Sequence, residues 1–107
     1  MKKLKFANGL PELILNGKKI TTWRISDDKN LSVDDIISCC RVDGTEFANA
    51  KITSVKETIF EELTEEDKEG HEPFESDRQM YETFSKYYNI EITPQTKLKV
   101  IKFELIE

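Results

Sequence analysis

Apolar positions fall in separate blocks along this chain, some alternating with polar ones and some recurring every three or four residues. Leu4 to Phe6 predicts a short first strand. Leu10, Leu13 and Ile14 then share one face of a short helix. Asn8 or Gly9 caps that helix, Pro11 suits its first turn, and Glu12 favours the positive end of its dipole. Gly17 stands where a left-handed stop belongs, leaving Lys18 and Lys19 just beyond the helix. Ile20 to Ile25 predicts a strand. Alternation puts Thr21, Trp23 and Ile25 on one face and Ile20, Thr22 and Arg24 on the other. Trp23 and Ile25 make the first of these the core face. Ser26 to Asn30 is a polar loop.

Further on, Ile36 to Val42 predicts a strand, Asp43-Gly44 a hairpin turn, and Glu46 to Val55 the return strand. Residues 61–75 are acidic. Within them Thr64-Glu65-Glu66-Asp67 opens a short helix, and Gly70-His71-Glu72-Pro73 breaks it. Ser76-Asp77-Arg78-Gln79 has the form of a capping box. The helix it opens carries Met80, Tyr81, Phe84, Tyr87 and Tyr88 at helical spacing, read as a core-facing stripe, and Asn89 ends it. Lys97 to Leu105 is a final strand. Strands and helices do not alternate as repeated parallel units would. The order predicts an α+β domain, mainly β: an antiparallel sheet or small barrel with helices packed on it.

Composition narrows the function classes. The 107 residues suit a single domain over 1–107. A formal net charge of −5 argues against general phosphate-backbone binding as the main activity, while leaving room for a local basic patch. The start of the chain is too poor in apolar residues for a signal peptide, and no run reaches membrane-spanning length. A cytoplasmic protein with no membrane partner is the expectation. Cys39 and Cys40 are adjacent, so they point to opposite strand faces and make a poor disulfide. With no Cys-x-x-Cys pair and a single histidine, His71, no metal site is expected. His71 itself reads as a surface or hinge residue beside the candidate acids.

Chemistry-bearing residues concentrate in Gly17-Lys18-Lys19-Ile20-Thr21-Thr22-Trp23-Arg24. Lysines after a helix C-terminus complement its dipole without any function, and threonine is an ordinary strand residue. The same residues also hold the parts of a nucleophilic site. A threonine hydroxyl needs a base to take its proton. A lysine serves only if burial or a neighbouring cation lowers its pKa. A carboxylate is then needed to protonate a leaving amine, and the acidic segment offers several.

The run Ile14-Leu15-Asn16-Gly17-Lys18-Lys19-Ile20-Thr21-Thr22-Trp23-Arg24 resembles the signature of ASCH domains, small relatives of the PUA fold: a helix end, then Gly-Lys-Lys/Arg-Thr-x-Thr-x-Arg. Asp34-Asp35-Ile36-Ile37, Leu63-Thr64-Glu65-Glu66-Asp67 with Glu69-Gly70, and Val100-Ile101-Lys102-Phe103 resemble other parts of that family. Ile20 stands where the family often has threonine, Trp23 where a smaller aliphatic is common, and Asp34 in place of a glycine. The resemblance implies a PUA-like pseudo-β-barrel of about six strands with two or three flanking helices and a cleft beside the Gly-Lys-Lys turn. It implies binding of RNA or modified nucleosides. One branch of similar length comprises N4-acetylcytidine amidohydrolases. Carried over, its roles give Lys19 as proton acceptor, Thr22 as nucleophile and Glu69 as proton donor, with Glu72 the competing acid. Lys18, Arg24, Thr21 and His71 are the substrate-binding neighbours. No cofactor and no DNA partner is implied, and the pattern fixes no oligomeric state. The alternative is a non-catalytic RNA-binding module, with ribonuclease activity a weaker option.

Overall fold

The computed structural model describes residues 1–106. In chain order the elements are β1 (Lys2–Lys5), α1 (Leu10–Leu15), β2 (Thr21–Arg24), β3 (Ile36–Cys40), β4 (Glu46–Ile59), a 3-10 turn (Phe60–Glu62), α2 (Glu65–Lys68), α3 (Asp77–Tyr88) and β5 (Lys97–Ile106). The strands form one sheet in the order β1-β3-β4-β5-β2. Only the β1–β3 pair is parallel; the other three pairs are antiparallel. The expected α+β, mainly β class is present, and the pseudo-barrel takes the form of a curled half-barrel sheet with five strands among the described residues rather than about six. No helix among those residues is long and apolar enough to cross a membrane.

The hairpin expected after Ile36 has a longer second strand than the apolar pattern suggested. Strand β4 runs on from Val55 to Ile59 because β5 pairs with it as far as Ile59↔Lys97. Thr53 is exposed, and the register shifts between Ile52 and Ser54. A bulge of this kind bends a strand and increases its twist. The sheet curls accordingly, and its two edge strands approach each other: Arg24 at the end of β2 donates from Nη2 to the Lys5 carbonyl of β1, at 3.1 Å.

Two apolar clusters result. Leu4, Phe6, Ile14, Leu31, Ile37, Cys39, Ile52 and Phe103 fill one. Trp23, Ile25, Phe60, Met80, Phe84, Leu98 and Val100 fill the other. The aromatic stripe of α3 therefore divides. Met80 and Phe84 are core, as read, whereas Tyr87 is exposed. Helix α3 starts as its sequence dictates: the Ser76 side chain accepts from Gln79 N. Gln79 Oε1 reaches back to Glu75 N, one residue earlier than a standard capping box would place it. Asn89 ends the helix in the left-handed region.

Cys39 and Cys40 are free and buried. Burial pushes the Cys39 thiol up to about 11, so it stays protonated as a small core residue.

Candidate functional site

The turn after α1 sets the direction of Lys19. Gly17 has φ +82°, a conformation that costs an L side chain but not glycine. It lets both Lys18 N and Lys19 N donate to the Leu13 carbonyl at the helix end. After this reversal Lys18 stays exposed while Lys19 turns inward and is 2% exposed. Lys19 Nζ donates to Thr21 O at 2.7 Å and to Glu72 Oε1.

The acidic segment is tied to the start of β2 by three hydrogen bonds. Ile20 N and Thr21 N both donate to Gly70 O, and Thr21 Oγ1 donates to Glu69 O at 2.6 Å. Gly70 has φ +76°, and a Cβ there would lie 2.2 Å from Ile20 Cγ1. Only glycine gives this close backbone approach without displacing its neighbour. The clamp fixes which acid enters the site. Glu69 contributes its carbonyl to the clamp and lines an outer hollow with Glu65, Glu66 and Lys102. Two residues later, Glu72 reaches Lys19.

The resulting cavity has a volume of about 270 Å³, at the small end for a ligand site. Lys19, Thr22, Arg24, His71 and Glu72 supply its polar lining. Phe6, Trp23, Phe84, Tyr87 and Tyr88 supply an aromatic wall. Thr22 is buried, and its Oγ1 accepts from Arg24 Nε at 3.2 Å. Arg24 also lies 4.8 Å above the Phe6 ring, a favourable site for a cation.

Burial pulls the Lys19 pKa below its ordinary value, and the Arg24 charge adds to this against the opposing pull of Glu72. Burial pushes Glu72 the other way, but Lys19 and His71 outweigh it and hold that carboxyl below the usual range. Burial and the Lys19 charge bring His71 down to about 4, so the imidazole is neutral near pH 7. His71 Nδ1 is 2.9 Å from Glu72 O. A carbonyl can only accept, so the proton of the neutral ring sits on Nδ1.

The eight site residues expected from the sequence find their positions here. Lys19, Thr22, Arg24 and Glu72 converge on one cavity. Thr21 is fully buried, and its hydroxyl is spent on the Glu69 carbonyl. Lys18 is exposed and outside the cavity lining. The Glu69 side chain is also outside it. His71 corrects the surface-or-hinge reading: its side chain is 3% exposed and stacks on Trp23 at 3.9 Å. Composition favours the surface for a lone histidine among acids. Here a flat aromatic partner on β2 and an acceptor carbonyl one residue away satisfy it in the interior. The aromatic wall was not foreseen, because Phe6, Trp23 and Tyr87–Tyr88 come from three distant segments. Among the described residues, no three His, Cys, Asp or Glu side chains gather as a metal-ligand set.

The ASCH domain family model matches residues 1–107. Among solved structures, an ASCH domain from Lactobacillus crispatus JV V101 is similar, with 20% identity over 89% of this chain and 69% of that one, at a TM-score of 0.63. Protein EF3133 from Enterococcus faecalis V583 has 16% identity over 99% and 76% of the two chains, at a TM-score of 0.76. Hypothetical protein PH0355 has 23% identity over 99% and 100%, at a TM-score of 0.74. At these identities the structural likeness speaks for the fold. No protein of curated function matches the sequence. The chain belongs to the ASCH domain family, which is linked to RNA binding or hydrolase activity.

Proposed function

We propose that this protein is an amidohydrolase that removes the acetyl group from N4-acetylcytidine or a related acylated nucleoside. The observation that carries the reading is the paired Lys19 and Glu72 in one small aromatic-walled cavity with the Thr22 hydroxyl. A planar base fits between aromatic faces, and a cavity of this size suits a base or nucleoside better than a length of strand.

The chemistry follows from one shared proton. Lys19 and Glu72 are an ion pair in the resting site. Transfer of the proton from Nζ to Oε1 gives a neutral amine and a neutral carboxylic acid. Burial works toward that transfer by disfavouring both charges, and their mutual attraction works against it. In the transferred form Thr22 Oγ1 attacks the acyl carbon and its proton passes to Lys19. The C–N bond then breaks, and the departing exocyclic nitrogen takes the proton from Glu72. Cytidine leaves, Thr22 carries the acyl ester, and the ion pair is restored. Water next attacks the ester with its proton passing to Glu72, and Lys19 returns a proton to Thr22 as the acid departs. Deacylation leaves the pair in its neutral, transferred form, and return of the proton from Glu72 Oε1 to Lys19 Nζ restores the resting ion pair.

Incubating the protein with N4-acetylcytidine and following cytidine and acetate tests this. Turnover is expected in the wild type and a loss of at least a hundredfold in Thr22→Ala, Lys19→Ala and Glu72→Gln, with Glu69→Gln close to wild type. Turnover no higher in the wild type than in Thr22→Ala refutes the proposal. Salt-sensitive RNA binding in that case favours the RNA-binding alternative.

A further inference from the structure

Arg24 carries a charge that the site does not balance. Its guanidinium remains protonated under any working condition, yet among the described residues no carboxylate oxygen lies within 4.0 Å of it. The residue is only half-exposed. Of its five N–H donors, one goes to Thr22 Oγ1 and one to the Lys5 carbonyl. Tyr88 is a further side-chain partner of the guanidinium, and no other hydrogen bond ties its remaining donors to the described residues. The Phe6 ring beneath it offsets only part of the cost of a half-buried cation.

The position of this unspent charge is informative. Lys19 is committed to Glu72 and Thr21 O, and His71 gives its proton to a carbonyl. Arg24 is therefore the lining group with donors to spare nearest Thr22 Oγ1. An oxygen on a carbon bonded to Oγ1 sits two bonds from that atom, within reach of the terminal N–H groups. We infer that Arg24 is the anion-holding group of the cavity: it takes the negative charge that develops on the acyl oxygen when Thr22 attacks, and afterwards the carboxylate of the released acid.

The inference rests on the amidohydrolase reading for its catalytic part. In the step concerned, the Oγ1–C bond forms, the carbonyl π pair moves onto oxygen, and the Thr22 proton goes to Lys19. When the C–N bond breaks, the pair returns to re-form the carbonyl. Arg24 forms no bond and moves no proton. It supplies donors oriented before the charge appears, which is where such groups are most effective.

The test compares wild type with Arg24→Ala and Arg24→Lys, after thermal unfolding has shown which variants are folded. Arg24→Ala is expected to lose a hundredfold or more in kcat with KM changed severalfold at most. Arg24→Lys keeps the charge but not the planar fork and is expected to fall between them. Free guanidinium at millimolar concentration is expected to restore part of the Arg24→Ala rate, which a purely structural role would not allow. Unchanged kcat with raised KM, or no rescue of a folded variant, overturns the catalytic assignment. A separate titration with sodium acetate, followed by amide NMR, reads the anion site without turnover. Binding to wild type that is lost in Arg24→Ala supports the site even if N4-acetylcytidine is not hydrolysed, and equal binding by both overturns it.

Discussion

Lowering the pH from about 7 to 5 should destabilise this protein through His71. In the fold its pKa is held at about 4, against an ordinary value of 6.5. The cause is burial first and the Lys19 charge second. Between those two values the unfolded chain binds a proton that the folded one does not. Stability therefore falls as pH drops through this interval. The whole gap corresponds to about 3 kcal/mol, and the part between pH 6.5 and 5 to about 2 kcal/mol. The side chain is 3% exposed, so solvent screens little of this. The upper interval is clean, because His71 is the only histidine. The carboxyls of Asp27, Asp67 and Glu72 are all held below their ordinary values of 3.8, 3.8 and 4.5, so their contribution is lost only as the pH falls through and below those values. Urea unfolding followed by the fluorescence of Trp23, the only tryptophan, measures the effect directly. The melting temperature should drop by roughly 10 °C over the same interval. His71→Phe keeps a flat ring on Trp23 and removes the titrating group, so its stability should be level from pH 6.5 to 5. A level wild-type profile, or an unchanged slope in His71→Phe, would refute the reasoning.

Lys19→Met leaves the largely buried Glu72 carboxylate without its partner and should cost about 3 kcal/mol near neutral pH. Adding Glu72→Leu should recover more than half of that loss in the same urea assay; a strictly additive double variant would contradict the coupling. Gly70→Ala meets both a positive φ and the Ile20 side chain. It should lose more than about 1 kcal/mol and, by moving Glu72, most of the turnover; a neutral outcome by thermal unfolding would show that the clamp is not tight. Ser76→Ala removes the α3 cap and should cost about 1 kcal/mol in stability, with kcat on N4-acetylcytidine unchanged.

Element positions were legible where local chemistry is decisive. The Pro11–Glu12 start and Gly17 stop bracket α1. Asp43-Gly44 sits in the hairpin, and Ser76 caps α3. The ends of β4 were not legible, because its last residues are held by pairing to β5 some forty positions away, not by their own pattern. Strand alternation put Thr22 and Arg24 on one face, but Trp23, read only as core, also lines the cavity. Alternation took Thr21 for a core residue, and the structure shows that its hydroxyl has a specific partner, Glu69 O. It could not show that the second face of β2 is also covered.

The sequence by itself determined the mainly β class, the turn that delivers Lys19, and the pairing of Thr22 with Arg24 on one strand face. These follow from backbone preferences and a two-residue period, which act over a few positions. Only the tertiary structure set Glu72 rather than Glu69 against Lys19, moved His71 indoors and left Lys18 outside. Those outcomes depend on a backbone clamp at Gly70, on a stack against Trp23 and on the approach of β1 to β2. Each joins segments far apart in the chain, where no local preference can register the contact.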